Sequence, residues 1–302
     1  MRQVIKLTLF CLALSSLLFA ADYRFVRFDF PNAAATFALG INARGDIVGR
    51  YVDTDGVTHG FLLHKGVFST IDFPHALFIA ARGINARGDI VGRVIDAGGN
   101  EHGFLLRDGH FKKIDYPGAS ATSARGINNA GDITGRHFDA AGNENGFILQ
   151  DGTFHNVRVP NSATPLHPCS TDVFMAMDNG RVAVGDLCTD VDGGIHGYLR
   201  NRPGDFQIID FPGAGAPCTA ARWINESRDI VGVYANTLDE CFAFASQAHG
   251  FVLRQGAYTA IDFPGSVYTE AYSISDDGVI VGDYTDKQGN VHGFKAVPKD
   301  AQ

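Results

Sequence analysis

The chain has 302 residues, with 25 Lys and Arg against 33 Asp and Glu, a formal net charge of −8. Its basic residues are not clustered, which argues against a nucleic-acid partner. Hydrophobic residues make up 45% of the chain, enough to fill the core of a large domain.

Residues 1–21 have the three parts of a secretory signal peptide. Arg2 and Lys6 give the charged start, an apolar run follows, and Ala20-Ala21 supply the small residues for cleavage. The run is too short for a membrane span, and Cys11 within it lacks a lipobox-like neighbourhood. We therefore expect a secreted or periplasmic protein without a stable membrane anchor. Cleavage would take the net charge from −8 to −10. Residues 22–302 are expected to form one monomeric domain.

Six repeats follow this leader. A His-Gly-Phe tripeptide or a near copy begins at His59, His102, Asn145, His196, His249 and His292. An Ile-Asp-Phe-Pro element recurs around Asp29, Asp72, Asp115, Arg158, Asp210 and Asp262. Between them lie Gly-Ile-Asn-x-x-Gly-Asp-Ile-Val-Gly segments, clearest at 40–49, 83–92 and 126–135.

The repeat length and the two chain ends predict the fold. A period of ~40–45 residues with several short strands is typical of a propeller blade. In the first repeat we expect strands at about 36–42, 46–52, 59–64 and 67–73. The last repeat, 265–297, holds only three strands, and 23–31 supplies the fourth. The prediction is an all-β, six-bladed β-propeller of four-stranded antiparallel blades, closed by the N-terminal strand. A linear solenoid, which needs dissimilar polar caps, is the alternative. The expected blades are 32–74, 75–117, 118–160, 161–212, 213–264 and 265–297 with 23–31.

One His and one Asp recur across the hairpin of the third and fourth strands. His59 and Asp72 are symmetric about Lys65-Gly66, so a two-residue turn there places them opposite each other. We interpret them as structural hydrogen-bonded pairs, since catalysis does not need the same pair in every repeat. Metal ligands or catalytic bases are the alternative. The same spacing predicts the pairs His102–Asp115 and His249–Asp262.

Four cysteines remain after cleavage, an even number in an exported chain, which suggests two disulfides. Among three possible connectivities we favour Cys169–Cys188 and Cys218–Cys241, because each pair joins the start of a first strand to the end of a second. A metal site including His167 is the alternative.

Extra residues in the fourth and fifth repeats enlarge connections on one face, at 161–171 and 236–248. Loops on a rigid scaffold often carry binding sites, although a drifted loop held by disulfides would look similar. The candidate ligand-binding residues on or near this face are His167, Asp172, Asp239, Glu240, Phe242, Phe244 and, on the nearby inner strand, Trp223.

The central channel is a second candidate site. Arg82, Arg125 and Arg222 come just before the Gly-Ile-Asn element, all on innermost strands, and several inward arginines could make an anion-binding mouth. Whether they face the channel depends on strand parity. Asp172 and Glu270 are isolated carboxylates that could act as acid and base. We predict no cofactor and no metal site, because the Asp53-Thr-Asp-Gly56 and Asp190-Val-Asp-Gly193 turns lack the other ligands of a calcium loop.

The repeat resembles the HAF-repeat family of extracellular bacterial proteins. The matching residues are Gly40-Ile-Asn-x-x-Gly-Asp-Ile-Val-Gly49, His59-Gly-Phe61 and Ile71-Asp-Phe-Pro74, and the match extends over nearly the whole mature chain. This chain has His-Gly-Phe where the family name implies His-Ala-Phe. The resemblance implies an exported protein of repeated β units and transfers no catalytic residue.

Our leading hypothesis from sequence is a secreted propeller that binds a small molecule, a glycan or a protein through the face carrying the enlarged loops. An extracellular hydrolase or lyase with acids at the channel mouth is one alternative, and a purely structural envelope or matrix protein is another. The fold alone cannot choose among them.

Overall fold

The computed structural model describes residues 23–157, 172–188, 194–212, 218–237 and 247–299. These residues form 24 β-strands, arranged as six units of four antiparallel strands. The predicted all-β fold of four-stranded antiparallel sheets is confirmed.

The strands of units 1 to 3 follow one another at regular spacing. Unit 1 comprises β2 (Ala35–Ile41), β3 (Ile47–Val52), β4 (Thr58–His64) and β5 (Val67–Ile71). Unit 2 comprises β6 (Phe78–Ile84), β7 (Ile90–Ile95), β8 (Glu101–Arg107) and β9 (His110–Ile114). Unit 3 comprises β10 (Ala121–Ile127), β11 (Ile133–Phe138), β12 (Glu144–Gln150) and β13 (Thr153–Val157).

Units 4 to 6 have the same strand order. Unit 4 comprises β14 (Asp172–Met177), β15 (Ala183–Cys188), β16 (Ile195–Arg202) and β17 (Asp205–Ile209). Unit 5 comprises β18 (Thr219–Ile224), β19 (Ile230–Tyr234), β20 (His249–Arg254) and β21 (Ala257–Ile261). Unit 6 comprises β22 (Tyr268–Ile274), β23 (Ile280–Thr285), β24 (Val291–Pro298) and the N-terminal β1 (Tyr23–Phe28).

The two ends of the described chain meet in unit 6. β1 pairs with β24 in antiparallel register, from Tyr23 opposite Pro298 to Phe28 opposite Gly293. The first strands of successive units contact one another, and β22 of unit 6 also contacts β2 of unit 1. Each unit therefore has its first strand innermost and its fourth strand at the outer edge. No helix in the described part of the chain is long and apolar enough to cross a membrane.

In units 1, 2, 3, 5 and 6 a glycine of the second strand packs against a phenylalanine of the third strand, and unit 4 has Tyr198 in place of the phenylalanine. In unit 1 the ring of Phe61, which is fully buried, lies over Gly49 on the neighbouring strand. A Cβ on Gly49 would lie only 2.7 Å from that ring and 2.0 Å from the Phe37 carbonyl oxygen. The Val-Gly and His-Gly-Phe motifs are thus two halves of one packing contact.

Aromatic stacking joins one unit to the next. The ring of Phe30, from an Ile-Asp-Phe-Pro element, stacks on Tyr51 with ring centroids 3.6 Å apart and an interplanar angle of 5°. Phe263 stacks on Tyr284 in the same way at 3.7 Å. Stacked aromatic pairs contribute about 0.5–1.5 kcal/mol beyond the area that they bury, so the Phe of this element holds neighbouring units together.

The two ends of the units differ in their connections. We call the end with the 42–46 and 65–66 connections the turn face, and the end with 53–57 and 72–77 the loop face. On the turn face, Asn42 Nδ2 donates to the carbonyl oxygen of Asn85 at 3.1 Å, and Asn85 Nδ2 donates to that of Asn128 at 3.3 Å. The Asn at this position links its unit to the next in units 1, 2, 3 and 5. Asp178 replaces it in unit 4 and Ser275 in unit 6.

Candidate functional site

Every innermost strand carries a β-bulge at the same place, which turns one residue toward the centre of the units. In β2 the register shifts between Ala38 and Gly40, and β6 shifts likewise between Ala81 and Gly83. A bulged residue has no cross-strand partner and is re-aimed. The described bulge side chains and Trp223 line one cavity of about 10 Å³, room for about one water molecule. These residues are Leu39, Arg82, Arg125, Arg222, Trp223 and Tyr272. The structure thus brings together the three arginines chosen from sequence.

A second layer of arginines lies on the loop-face side of this cavity in units 1 to 3. Arg50, Arg93 and Arg136 each follow the glycine of the second strand. Each guanidinium lies over the ring of a phenylalanine, with centroid distances of 3.5 Å for Arg50–Phe37, 4.5 Å for Arg93–Phe78 and 5.1 Å for Arg136–Phe138. Such cation–π contacts hold the planar groups in place.

Two glutamates partly balance this basic layer. Arg93 Nη1 donates to Glu101 at 3.1 Å, and Arg136 Nη1 donates to Glu144 at 2.5 Å. Arg136 also lies 3.6 Å from Glu101. Units 1 to 3 therefore direct five arginines toward the centre with two glutamates among them.

Burial and neighbouring positive charges both lower the pKa values of the two inner arginines, Arg82 and Arg125. Burial, together with the positive charges of Arg93, Arg136 and Arg50, lowers the pKa of Arg82 to about 9. Burial and the charge of Arg82 lower the pKa of Arg125 well below its ordinary value. An arginine that is easier to deprotonate is one whose charge the protein destabilises. An anion placed here would relieve that destabilisation.

Units 4 to 6 line the same centre with carboxylates. Asp186 and Asp283 occupy the position of Arg50 in units 4 and 6. Arg222 Nε donates to Glu270 Oε1 at 2.6 Å, and its Nη1 donates to Asp186 at 3.2 Å. Tyr268 donates its hydroxyl hydrogen to Glu270 Oε2 at 2.5 Å. Arg222 is thus paired with two carboxylates.

The pKa directions follow this pairing. Burial lowers the pKa of Arg222, but the charges of Glu270 and Asp186 outweigh it and raise that pKa above its ordinary value. Burial raises the pKa of Asp186. Burial and the neighbouring Glu270 raise the pKa of Asp283 well above its ordinary value. The buried position of Asp283 therefore favours its neutral acid form.

The recurring histidines lie on the loop face, each against carboxylates. His59 Nδ1 is 2.9 Å from Asp72 and its Nε2 is 3.3 Å from Asp53. The predicted pairs His102–Asp115 and His249–Asp262 have Nδ1–carboxylate distances of 2.8 and 3.1 Å. Burial lowers the pKa of His59, but its hydrogen bonds to Asp72 and Asp53 outweigh it and raise the pKa. Asp53 also accepts from the backbone N–H groups of Asp55 and Val57, so this segment is a hydrogen-bonded turn.

Other predicted residues are only partly covered. His167, Cys169, Asp239, Glu240, Cys241, Phe242 and Phe244 lie outside the described residues, and so do the side chains of Asp172 and Cys188. Cys218 is disulfide-bonded, and both disulfide pairings stay predictions. No group of three or more His, Cys, Asp or Glu able to hold a metal occurs in the described part of the chain.

Sequence reasoning missed the second layer of the site. The position after the second-strand glycine holds Arg50, Arg93 and Arg136 in units 1 to 3, and Asp186 and Asp283 in units 4 and 6. Aligning the six repeats shows this change from positive to negative charge directly. Glu270 was noticed only as an isolated carboxylate. Its partner Tyr268 is two residues away on the same strand, whereas Arg222 lies 48 residues earlier in the chain and meets it only in the fold.

Comparison with known proteins gives a fold and no family. No protein-family model and no curated protein matches the chain. Among solved structures, AofleA from Arthrobotrys oligospora is similar with a TM-score of 0.55 at 14% identity, over 91% of this chain and 86% of that one. The fucose-binding lectin of Aleuria aurantia, described as a six-bladed β-propeller, has a TM-score of 0.55 at 10% identity over 88% and 96%. A gluconolactonase from Xanthomonas campestris has a TM-score of 0.51 at 13% identity over 95% and 92%. At these identities the likeness concerns the fold alone, and it places the chain's four-stranded units among β-propeller proteins.

Proposed function

We propose that the chain is an exported, closed six-bladed β-propeller. The pairing of β1 with β24, the contact of β22 with β2 and the likeness to a six-bladed lectin support the closed ring. The leader at 1–21 supports export, and the repeat text supports membership of the HAF-repeat family.

We further propose that this propeller is a binding module for an anionic ligand, most simply an acidic glycan. The ligand enters the centre from the loop face and places its carboxylate or sulfate against the arginines of units 1 to 3. The single observation that carries this is that five arginines of units 1 to 3 converge on the centre with only two glutamates among them. The lowered pKa of Arg82, at about 9, agrees with this arrangement because burial and like charges both destabilise its charge. The sequence predicts that the enlarged connections at 161–171 and 236–248 share one face, and we propose His167 and Phe242 from them as candidates for contact with the uncharged part of the ligand.

Isothermal titration calorimetry tests the anion site. The oxidised mature protein is titrated with galacturonate oligomers and N-acetylneuraminate, with galactose as the uncharged control. We expect saturable binding of an acidic sugar that weakens as salt is added, because salt screens ion pairing. Arg82→Met should weaken it at least ~tenfold, the value of a lost charge-assisted hydrogen bond. Arg44→Met, on the turn face, is the matched control. Equal binding of galactose, or no effect of Arg82→Met, would rule out the proposed site.

A second candidate function, glycoside hydrolysis, rests on the carboxylates of unit 6. Glu270 and Asp283 are cross-strand partners. Burial and the charge of Glu270 raise the pKa of Asp283, as is typical of the acid in a catalytic carboxylate pair. Release of 4-nitrophenol from aryl glycosides and glycuronides, abolished by Glu270→Gln and by Asp283→Asn, would establish it. Turnover that survives both substitutions would exclude these residues as the catalytic pair.

A further inference from the structure

Trp223 lies across the centre of the six units. It follows the bulge residue Arg222 on β18, the innermost strand of unit 5. Its Cη2 atom comes so close to Gly83 of unit 2 that a Cβ on that glycine would lie 3.2 Å away. Units 2 and 5 are not neighbours, because the first strand of unit 2 contacts those of units 1 and 3, and that of unit 5 contacts those of units 4 and 6. One indole therefore spans the centre between units that do not adjoin.

Small residues at the same position of the other units leave room for this side chain. The residue after the bulge is Gly40, Gly83 and Gly126 in units 1 to 3, Ala176 in unit 4 and Ser273 in unit 6. The glycines also let neighbouring backbones approach, since a Cβ on Gly40 would lie 3.3 Å from the Cα of Gly83. Glycine is the usual residue at such close approaches. The large Trp223 and the small residues opposite it are thus complementary.

The indole separates two cavities. On the turn-face side it lines a mouth of about 50 Å³, together with the asparagines that link the units, among them Asn42, Asn85 and Asn128. On the other side it lines the inner cavity of about 10 Å³ with Arg82. The centre is therefore closed toward the turn face by Trp223, which forms the bottom of a site entered from the loop face.

The inner cavity lies well below the outer arginines along the first strands. In unit 1 the ring of Phe37, which lies under the Arg50 guanidinium, is two residues from the bulge residue Leu39. At about 3.2–3.4 Å per residue this is roughly 6–7 Å. A uronate carries its carboxylate one bond from its sugar ring, so a chain that lies across the loop face reaches the outer arginines only. A carboxylate reaches Arg82 when its own ring enters the centre, and because Trp223 closes the other side, a chain enters only by its end.

The size of the inner cavity favours a carboxylate over a sulfate as the group that reaches it. A space with room for about one water molecule admits one oxygen of a planar carboxylate more readily than the three terminal oxygens of a sulfate ester. Arg82 lines this space, and its Nε is buried without a hydrogen-bond partner in the described part of the chain. Because guanidinium N–H groups match carboxylate oxygens, a carboxylate would supply that partner.

We propose, building on the proposed glycan-binding function, that Trp223 makes the central site a blind pocket that takes the terminal uronate of a glycan chain and excludes a uronate within the chain. The carboxylate lies against Arg82, its ring lies among the outer arginines, and the rest of the chain leaves through the loop face. Trp223 is thus a specificity-determining residue.

Three isomeric trisaccharides test the proposal, each with one galacturonate and two galactose residues. The galacturonate stands at the reducing end, at the non-reducing end or in the middle, so charge and composition stay constant. In titration calorimetry we expect one end isomer to bind at least ~tenfold more tightly than the middle isomer, because only an end residue makes charge-assisted hydrogen bonds to the inner site. Trp223 is the only tryptophan of the chain, so its fluorescence should change saturably with that isomer.

Substitution of Trp223 separates a role in specificity from a role in folding. Trp223→Gly installs the residue of units 1 to 3 and opens the centre toward the turn face, so the preference for the end isomer should be lost. Trp223→Leu keeps an apolar side chain but shortens it, and supplies the same test if the glycine variant unfolds. Ser273→Ala, at the corresponding position of unit 6, is the matched control and should retain the preference.

Equal affinity for the three isomers, or an end preference that survives both Trp223 variants, would overturn the proposal. Trp223 fluorescence that does not respond to a bound end isomer would also overturn it, and so would the absence of binding by all three isomers. If the isomers bind equally and Arg82→Met weakens them all, the blind pocket is excluded while the central anion site stands. If Arg82→Met has no effect on any acidic sugar, the anion site itself fails.

Discussion

Units 1 to 3 and units 4 to 6 are built on the same frame, yet they present different charges to the centre. After the second-strand glycine, the first three units carry Arg50, Arg93 and Arg136, whereas units 4 and 6 carry Asp186 and Asp283. The glycine, the packed phenylalanine and the inter-unit stacking recur in both halves. Residues that maintain the repeat are therefore separate from residues that could distinguish a ligand, and a site can vary without loss of the fold.

The largest expected effect tests whether the glycine–phenylalanine packing contributes equally to stability in units 1 to 3 and in units 4 to 6. Phe104 in unit 2 and Phe251 in unit 5 are fully buried over equivalent glycines. Phe104→Ala and Phe251→Ala should each lower the free energy of unfolding by about 3–5 kcal/mol, the usual cost of truncating a buried phenylalanine. Urea unfolding measures both.

Val67→Ala, at a side chain 68% exposed, is the control for that experiment and should cost little. A large effect in one half only would show that the two halves do not share one packing scheme.

A smaller expected effect is the pH dependence of the free energy of unfolding, which tests the buried carboxylates of units 4 to 6. Burial and Glu270 raise the folded-state pKa of Asp283 above its unfolded value, so the folded state favours the protonated form. The free energy of unfolding should then rise as pH falls through the folded pKa toward about 4. Asp283→Asn should remove this component of the pH dependence. Asp55→Asn, at an exposed turn, is the control, and an unchanged pH profile in Asp283→Asn would contradict the assignment.

The smallest effect concerns the histidines, which occur in both halves. The folded pKa of His59 is raised by Asp72 and Asp53. Its stabilising contribution is therefore complete below the unfolded pKa of about 6.5 and is lost as pH rises through the folded pKa. His59→Gln should cost roughly 0.2–1 kcal/mol at pH 6 and less at pH 9, as for partly exposed ion pairs. A cost that grows with pH would mean that the neutral imidazole is the stabilising form.

The architecture was largely predictable because it repeats. A strand predicted at 59–64 is observed at Thr58–His64, and the two-residue turn at Lys65-Gly66 has positive φ at both residues, 49° and 81°, as a tight hairpin requires. Strand lengths and turns depend on local chemistry, and six copies make the pattern easy to recognise.

The site was predictable only in part, because a β-bulge disturbs strand alternation. Arg82, Arg125 and Arg222 could be named from their place before the Gly-Ile-Asn element or its counterpart, but their direction depends on the bulge that removes each from the ladder.

The most direct test of the charge difference compares one substitution at one position in the two halves. Arg82 and Arg222 are the bulge residues of units 2 and 5. Arg222→Met leaves Asp186 and Glu270 buried without their cation and should lower the free energy of unfolding by about 3–5 kcal/mol. Arg82→Met removes a cation whose charge is destabilised by its neighbours and should raise that free energy by about 1–3 kcal/mol. Opposite signs in urea unfolding would support the account, and an equal loss in both variants would contradict it.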